Sequence, residues 1–360
     1  MSRRILVVGA TGKQGRALIS HLSTPSPDHE SESFQILALT RTPSSQASQS
    51  LTLINQSISL LKADLNSPSS IRKIFTDLGG KGSIYGVFVA LQFPGLGANA
   101  DAELAQGIAI ADLANEFQVQ RFIFSSLERG SESYDQYLTL DRASKRDIER
   151  HIISLPNLPW TILRPGFFME NLSGTLGRIT TSVLLAGLNP STQIPLVAVD
   201  DIGRVSSQIL TVPSPSLPCD ELTNECEQSS SPKYTHAKIP IISSLRTPSQ
   251  MLQSHLSATS TPQPQIPLFL ARLLIHLNTH TKNLIDDINR IHTTISSPQS
   301  KWGEGGWTCY LSKNAYDFVP ENEMTSYEDW ARERQKKKDG GGEWGGWNGV
   351  RIWDLVRGRR

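Results

Sequence analysis

The sequence predicts an α/β protein built on a doubly wound parallel sheet, and three observations carry that expectation. Short β-branched apolar runs alternate with amphipathic stretches through the first two hundred or so residues, the pattern of successive βαβ units. Most of these runs are continuously apolar rather than alternating, as strands covered on both faces require. The first run passes straight into a glycine triplet, Gly9, Gly12 and Gly15, and then into a helical pattern.

Taken in order, strands are expected at residues 5–8, 35–40, 58–62, 86–91, 122–125 and 161–163. Helices are expected between them at 13–22, 68–78, 101–117 and 141–154. Composition changes after Leu210. Residues 211–235 are rich in Ser, Pro and acidic side chains, and residues 243–267 in Ser, Thr, Gln and Pro. Neither stretch offers enough apolar surface to offset its ordering entropy, so both are expected to be loops. A helical pattern returns over 266–292, with Leu270, Leu273, Leu274, Leu277, Leu284, Ile288 and Ile291 near a 3.6-residue period. A last amphipathic piece at 326–335 carries Tyr327, Trp330 and Ala331. The expected division is a nucleotide-binding domain over 1–211, a flexible Ser/Pro-rich insertion over 212–265, a small, mostly helical substrate lobe over 266–335, and a disordered Gly/Trp/basic tail over 336–360.

The glycine triplet makes the sheet Rossmann-type and its ligand a dinucleotide. In GATGKQG (9–15), Gly9 permits the sharp turn out of the strand and Gly12 lets backbone approach a pyrophosphate. Gly15 lets the helix close on the sheet. Thr11, Lys13 and Gln14 complete the loop, and the free N–H groups of the helix start face the phosphates. The second strand ends in Leu39-Thr40-Arg41-Thr42, with no acid for a ribose 2′-hydroxyl and an arginine placed for a 2′-phosphate. NADP(H) is therefore the expected cofactor, with Lys13 as a second cation. Asp64, after the third strand, is placed either to accept from an adenine amino group or to shape its own loop. Gln92, after the fourth strand, falls on the nicotinamide side.

Charge selects no partner class. Lys+Arg 35 against Asp+Glu 34 gives +1, so neither nucleic acid nor an anionic membrane is expected. No run approaches the roughly 18 apolar residues of a membrane span, and the RRILVV start reads as a buried strand rather than a signal sequence. Cys219, Cys226 and Cys309 form neither a disulfide framework nor a zinc pair. A cytoplasmic location is expected. The basic run at 332–338 resembles a nuclear-import patch and leaves a nuclear location open, although such runs are usually solvated helix ends. His276 and His280 share helical spacing but lack a third ligand, so no metal is expected.

The motifs GATGKQG (9–15), TRTP (40–43), KADL (62–65), RFIFSS (121–126), SKRDIE (144–149), WTILRPGFFMENL (160–172) and VDDIGR (199–204) resemble those of the NmrA-like family, a branch of the atypical short-chain dehydrogenase/reductases. The likeness covers about residues 3–210, with a fainter echo in MTSYEDW (324–330). It implies an NADP(H)-binding Rossmann domain whose cleft is roofed by C-terminal helices. The family holds both small-molecule reductases and redox-sensing regulators; in fungi its members include regulators and oxidoreductases of secondary metabolism. The Ser/Pro-rich loops and the Gly/Trp tail depart from its usual pattern.

Short-chain dehydrogenases commonly set Tyr and Lys four residues apart, so that one helical face presents both. Lys145 stands where that lysine would be, but Asp141 occupies the tyrosine's place. Lys145 is thus the candidate to hold the nicotinamide ribose and assist protonation, with Tyr137 as a proton source from the preceding loop. Phe167, Phe168 and Asn171 follow the sixth strand at the sheet's carboxyl edge and are candidates for the substrate pocket wall; core packing of the two aromatics is the alternative. The expected function is NADP(H)-dependent reduction of a small carbonyl, enone or quinone. The alternative is a non-catalytic redox sensor that acts through a regulatory protein partner.

Overall fold

The computed structural model describes residues 2–24, 34–93, 99–211, 234–297, 299, 306–311 and 319–339. The chain begins β1 (Arg3–Val8), α1 (Lys13–Ser23), β2 (Phe34–Thr40), α2 (Gln46–Thr52), β3 (Ser59–Lys62), α3 (Pro68–Asp77), β4 (Gly86–Val89) and α4 (Asp101–Glu116). It continues β5 (Arg121–Ser125), α5 (Leu140–Ser154), β6 (Trp160–Pro165), β7 (Phe167–Phe168), α6 (Gly174–Gly187), β8 (Ile194–Val197) and α7 (Val199–Thr211). All six expected strands and four expected helices are present, their ends shifted by one or two residues.

After the stretch 212–233, which lies outside the described residues, come β9 (Ala237–Ile241), β10 (Ser244–Arg246), α8 (Pro248–Thr259), α9 (Leu268–Leu277), α10 (Thr279–Ser296), α11 (Gly306–Leu311) and α12 (Tyr327–Asp339). The seven-stranded sheet runs β3-β2-β1-β4-β5-β6-β9, every pairing parallel. A second, three-stranded sheet, β10-β8-β7, stands beside it.

Both faces of the large sheet are buried, which explains its unbroken apolar strands. Leu6, Val8, Val87, Phe122, Phe124 and Ile162 face α3, α4 and α5 through Phe75, Ile110, Ile148 and Ile152. Ile5, Val7, Ile36, Phe88, Ile123 and Leu163 face α1 and α7 through Leu18, Ile19, Ile202 and Val205. Helices α1 and α7 meet at Gly203, where a Cβ would come within 2.5 Å of the Ala17 carbonyl carbon, so only glycine admits that approach. The C-terminal lobe has its own core, where Met169, Leu184, Leu196 and Met251 pack with Ile285, Ile288, Tyr327 and Trp330.

Several expectations need correction. The stretch 212–265, read as a flexible insertion, contains β9, β10 and α8. Within the second expected loop, 243–267, Pro248–Thr259 is helical because Thr247 and Gln250 form a reciprocal capping box, Pro248 opens the helix, and Met251 is buried in the lobe core. The single pattern over 266–292 is two helices, since Asn278 breaks it and caps α10 by accepting from the Thr281 N–H. Leu270, Leu273 and Leu277 of that pattern are exposed, and Ala271 is the buried residue of α9. Residues 336–339 belong to α12, and the rest of the expected tail, 340–360, lies outside the described residues.

Asp201 shows how the lobe is anchored. Its buried carboxylate accepts from the Thr325 N–H and hydroxyl and from Ser243 Oγ. Three distant segments, 199–204, 243–246 and 324–330, are thereby joined at one acid.

Candidate functional site

The site is built on the carboxyl ends of β1, β2, β4, β5 and β6, where open α/β sheets hold ligands. Gly9 turns with φ 81°, and a Cβ there would lie 2.2 Å from the Ala90 oxygen. Gly15 is as tightly confined, with a Cβ 2.4 Å from the Gly9 oxygen. The Gly12 N–H donates to the Gly9 oxygen across 2.9 Å, which closes the turn. Gly12 is also the N-cap of α1 and supplies no side-chain cap, so the helix start suits an anionic ligand rather than satisfying itself. Thr11 carries no cap either; its carbonyl accepts from Arg16 Nε. Gln14 is held by Ser125, whose hydroxyl donates to Gln14 Oε1 at 2.6 Å.

Lys13 leans toward the segment after β6. Burial pulls its ammonium below the ordinary lysine value, opposed by Glu170 and reinforced by Arg334 of α12. Burial raises the Glu170 carboxyl, while the Val199 N–H and the Trp330 indole donate to it. The glycine turn, the 167–171 segment and α12 therefore meet around one half-buried acid. Glu170 and Arg334 escaped the sequence reading because nothing local links positions so far apart.

Arg41 is exposed on the turn after β2. Ser48 pins that turn through Thr40 Oγ1 and the Thr42 carbonyl, so the backbone under Arg41 is fixed while its side chain stays in solvent. Asp64 is exposed and accepts from the Asn66 N–H at 3.0 Å, a contact that shapes its own loop. Gln92 is exposed, and the next ring, Phe93, lies 6.2 Å from that of His280. Helix α10 thus reaches over the end of β4, and Arg142 of α5 pairs with Asp287 of α10 at 2.9 Å.

Lys145 points into the sheet side of α5. Its Nζ lies 2.6 Å from Glu103 Oε1 and 5.9 Å from the Phe124 ring, one residue before Ser125. Its side chain is 16% exposed and that of Glu103 only 2%. Burial raises the Glu103 carboxyl, the Lys145 charge opposes that, and Asp141 adds to it. Glu103 was not foreseen. Tyr137 sits on the short 3-10 turn Glu132–Tyr137 ahead of α5, 60% exposed, with its ring 6.2 Å from Tyr134.

Phe167 packs against the lobe core, Phe168 against the sheet core, and both are partly buried, as is Asn171. Beneath this rim lies a buried ion network. Glu149 is contacted by Arg164 at 2.6 Å and Arg129 at 2.8 Å, and Arg129 also meets Asp135 at 2.8 Å. Burial opposes ionisation of Glu149, but the two guanidiniums outweigh it and hold its carboxyl below the usual range. Among the described residues no group of three or more His, Cys, Asp or Glu is placed to hold a metal, and no helix is long and apolar enough to cross a membrane.

The chain resembles known proteins in sequence and in fold. An NmrA-like family domain-containing protein of Dictyostelium discoideum is 23% identical over 268 residues, covering 70% of this chain and 76% of that protein. The structure of NmrA, a negative transcriptional regulator in complex with NADP, matches with a TM-score of 0.61 at 16% identity, over 97% of this chain and 98% of that one. Citrobacter sp. triphenylmethane reductase complexed with NADP(H) matches with a TM-score of 0.59 at 16% identity, over 92% and 99%. At these identities the two structures establish the shared fold, whereas the NmrA-like family profile itself matches residues 1–223. With more than half of its length so matched, the chain belongs to the NmrA-like family.

Proposed function

We propose that this chain is an NADP(H)-dependent oxidoreductase that reduces a small carbonyl, enone or quinone. The observation that supports it most is the uncapped α1 N-terminus behind the glycine turn, with Lys13 beside it and Arg41 in place of an acid after β2. The fit to a dinucleotide is chemical as well as geometric, because backbone donors and two cations suit phosphate groups. Lys145 would hold the nicotinamide ribose and assist protonation, Gln92 would line the nicotinamide side, and Asp64 would face the adenine. Phe167, Phe168 and Asn171 would wall the substrate. Tyr137, open to solvent, is the nearby tyrosine that could deliver a proton. The reductase and the regulator that share the fold were each seen with NADP or NADP(H), which agrees with this cofactor. A cytoplasmic location is part of the same proposal.

A second reading, a redox sensor acting through a protein partner, is favoured by two observations. Asp141 stands in the tyrosine's place, and α9 exposes Leu268, Phe269, Leu273 and Leu277 on one short helix. The readings separate by NADPH consumption against a panel of quinones, enones and aldehydes, with Lys145→Ala alongside. Turnover that Lys145→Ala loses supports the enzyme; no turnover from protein that binds NADPH supports the sensor.

A further inference from the structure

Lys145 occupies the second turn of α5. Its side chain is largely buried, and a buried ammonium needs a hydrogen-bonded partner. That partner comes from another helix. Glu103, in the first turn of α4, places Oε1 2.6 Å from Lys145 Nζ, while its Oε2 is buried with no hydrogen-bond partner among the described residues. An acid this deep, with one oxygen unmatched, is costly to keep for stability alone. The two helices are locked at this level. A Cβ on Gly107 would meet Ile148 Cδ1 at 2.5 Å, and Ser144 Oγ donates to the Ala100 carbonyl at 3.3 Å. The neighbouring charges are Asp141 on α5 itself, then Arg142, and His280 of α10, which interacts with both.

We propose that Glu103 is the positioning residue for Lys145, its buried carboxylate fixing the ammonium beside the end of β5 so that one N–H is aimed and charged for substrate. The role rests on the reductase reading above. In that reduction a bound dihydronicotinamide would supply hydride to the carbonyl carbon and be oxidised, and the oxygen would gain a proton from Lys145, which recovers it from water.

The test needs no substrate. Ligand-free protein is pulsed with acetyl N-hydroxysuccinimide at pH 8, and acetylation of Lys145 is measured by peptide mass spectrometry against the exposed Lys73 as internal reference. Glu103→Gln keeps the shape but removes the carboxylate that holds Lys145 Nζ at 2.6 Å, so the amine is released from its partner and its relative labelling rises about tenfold. Glu103→Asp, with a shorter reach, gives a smaller rise and carries the test if the Gln variant fails to fold. Labelling unchanged in a folded variant overturns the proposal. Where the panel yields a substrate, Glu103→Gln lowers kcat at unchanged KM and moves the pH profile of kcat, with partial rescue by Asp; an equal loss at every pH also overturns it. Altered labelling without any turnover in the wild type removes the enzyme reading and leaves the Glu103–Lys145 pairing standing, so the two failures are distinct.

Discussion

Ser125, the last residue of β5, donates its hydroxyl to Gln14 Oε1 across 2.6 Å and so ties that strand to the glycine turn. The bond joins the two places where a dinucleotide would be gripped, its pyrophosphate end and its nicotinamide end. Ser125→Ala leaves the Gln14 side chain free to wander. The expected result is a three- to tenfold weaker NADPH affinity for a stability loss of about 1 kcal/mol, the net worth of one hydrogen bond. Equilibrium titration and chemical denaturation check the two numbers separately, and an unchanged affinity would disconnect this bond from the cofactor.

The glycines divide by what surrounds them. At Gly15 an added Cβ meets backbone, 2.4 Å from the Gly9 oxygen and 2.7 Å from the Ala10 Cα, so α1 must shift. At Gly12 the one close atom is 3.2 Å away. Gly15→Ala is expected to cost about 1–3 kcal/mol of stability and more than tenfold in NADPH affinity. Gly12→Ala is expected to keep most of the stability and still lose affinity, because its methyl group would stand where the proposal brings the pyrophosphate. Paired unfolding and binding curves check this, and equal stability losses would contradict it.

Glu149 sits between two buried guanidiniums, those of Arg164 and Arg129. Glu149→Gln leaves both cations without their shared acid, and about 3–5 kcal/mol of stability should be lost. Urea unfolding at neutral pH measures it. A loss under 1 kcal/mol would mean the network is held by its other acids.

Glu132 gives a dependence on pH whose sign can be worked out. The hydrogen bond from Lys238, aided by Arg164, holds its carboxyl down to about 2 from the ordinary 4.5. A depressed carboxyl stabilises the fold above its unfolded value, and that contribution is lost as pH falls from about 4.5 toward about 2. The side chain is 53% exposed, so screening limits the effect to about 1 kcal/mol or less. The difference between wild type and Glu132→Gln should be present in full at pH 6 and shrink steadily as pH falls from about 4.5 toward about 2. A constant difference would assign the effect to packing.

How much of this was legible depends on whether the information is local. β1, its glycine turn and α1 are contiguous, and each residue states its purpose through size or backbone freedom. The six strands were readable because burial on both faces makes their sequences uniformly apolar. α8 was missed because its capping box lies in a polar stretch whose buried residues are Pro248 and Met251 alone. α9 misled in the opposite direction: its leucines have helical spacing, yet Ala271 is what meets the core. The partners of the motifs were invisible for a different reason. Glu149 in SKRDIE answers Arg164 in ILRPG, and Asp201 in VDDIGR answers Thr325 in MTSYEDW, but only the folded chain brings these pairs together. The same holds for Glu103 and Lys145.

The measurement that bears most directly on the central claim is the affinity of the purified chain for NADPH and for NADH, in the wild type and in Arg41→Ala, at one fixed ionic strength. Arg41 stands exposed on a turn that Ser48 pins, and the proposal gives it the 2′-phosphate. The wild type should prefer NADPH by tenfold or more, and the variant should lose most of that preference while its NADH affinity stays nearly constant. Equal losses for both nucleotides, or no binding of either by folded wild-type protein, would contradict the account.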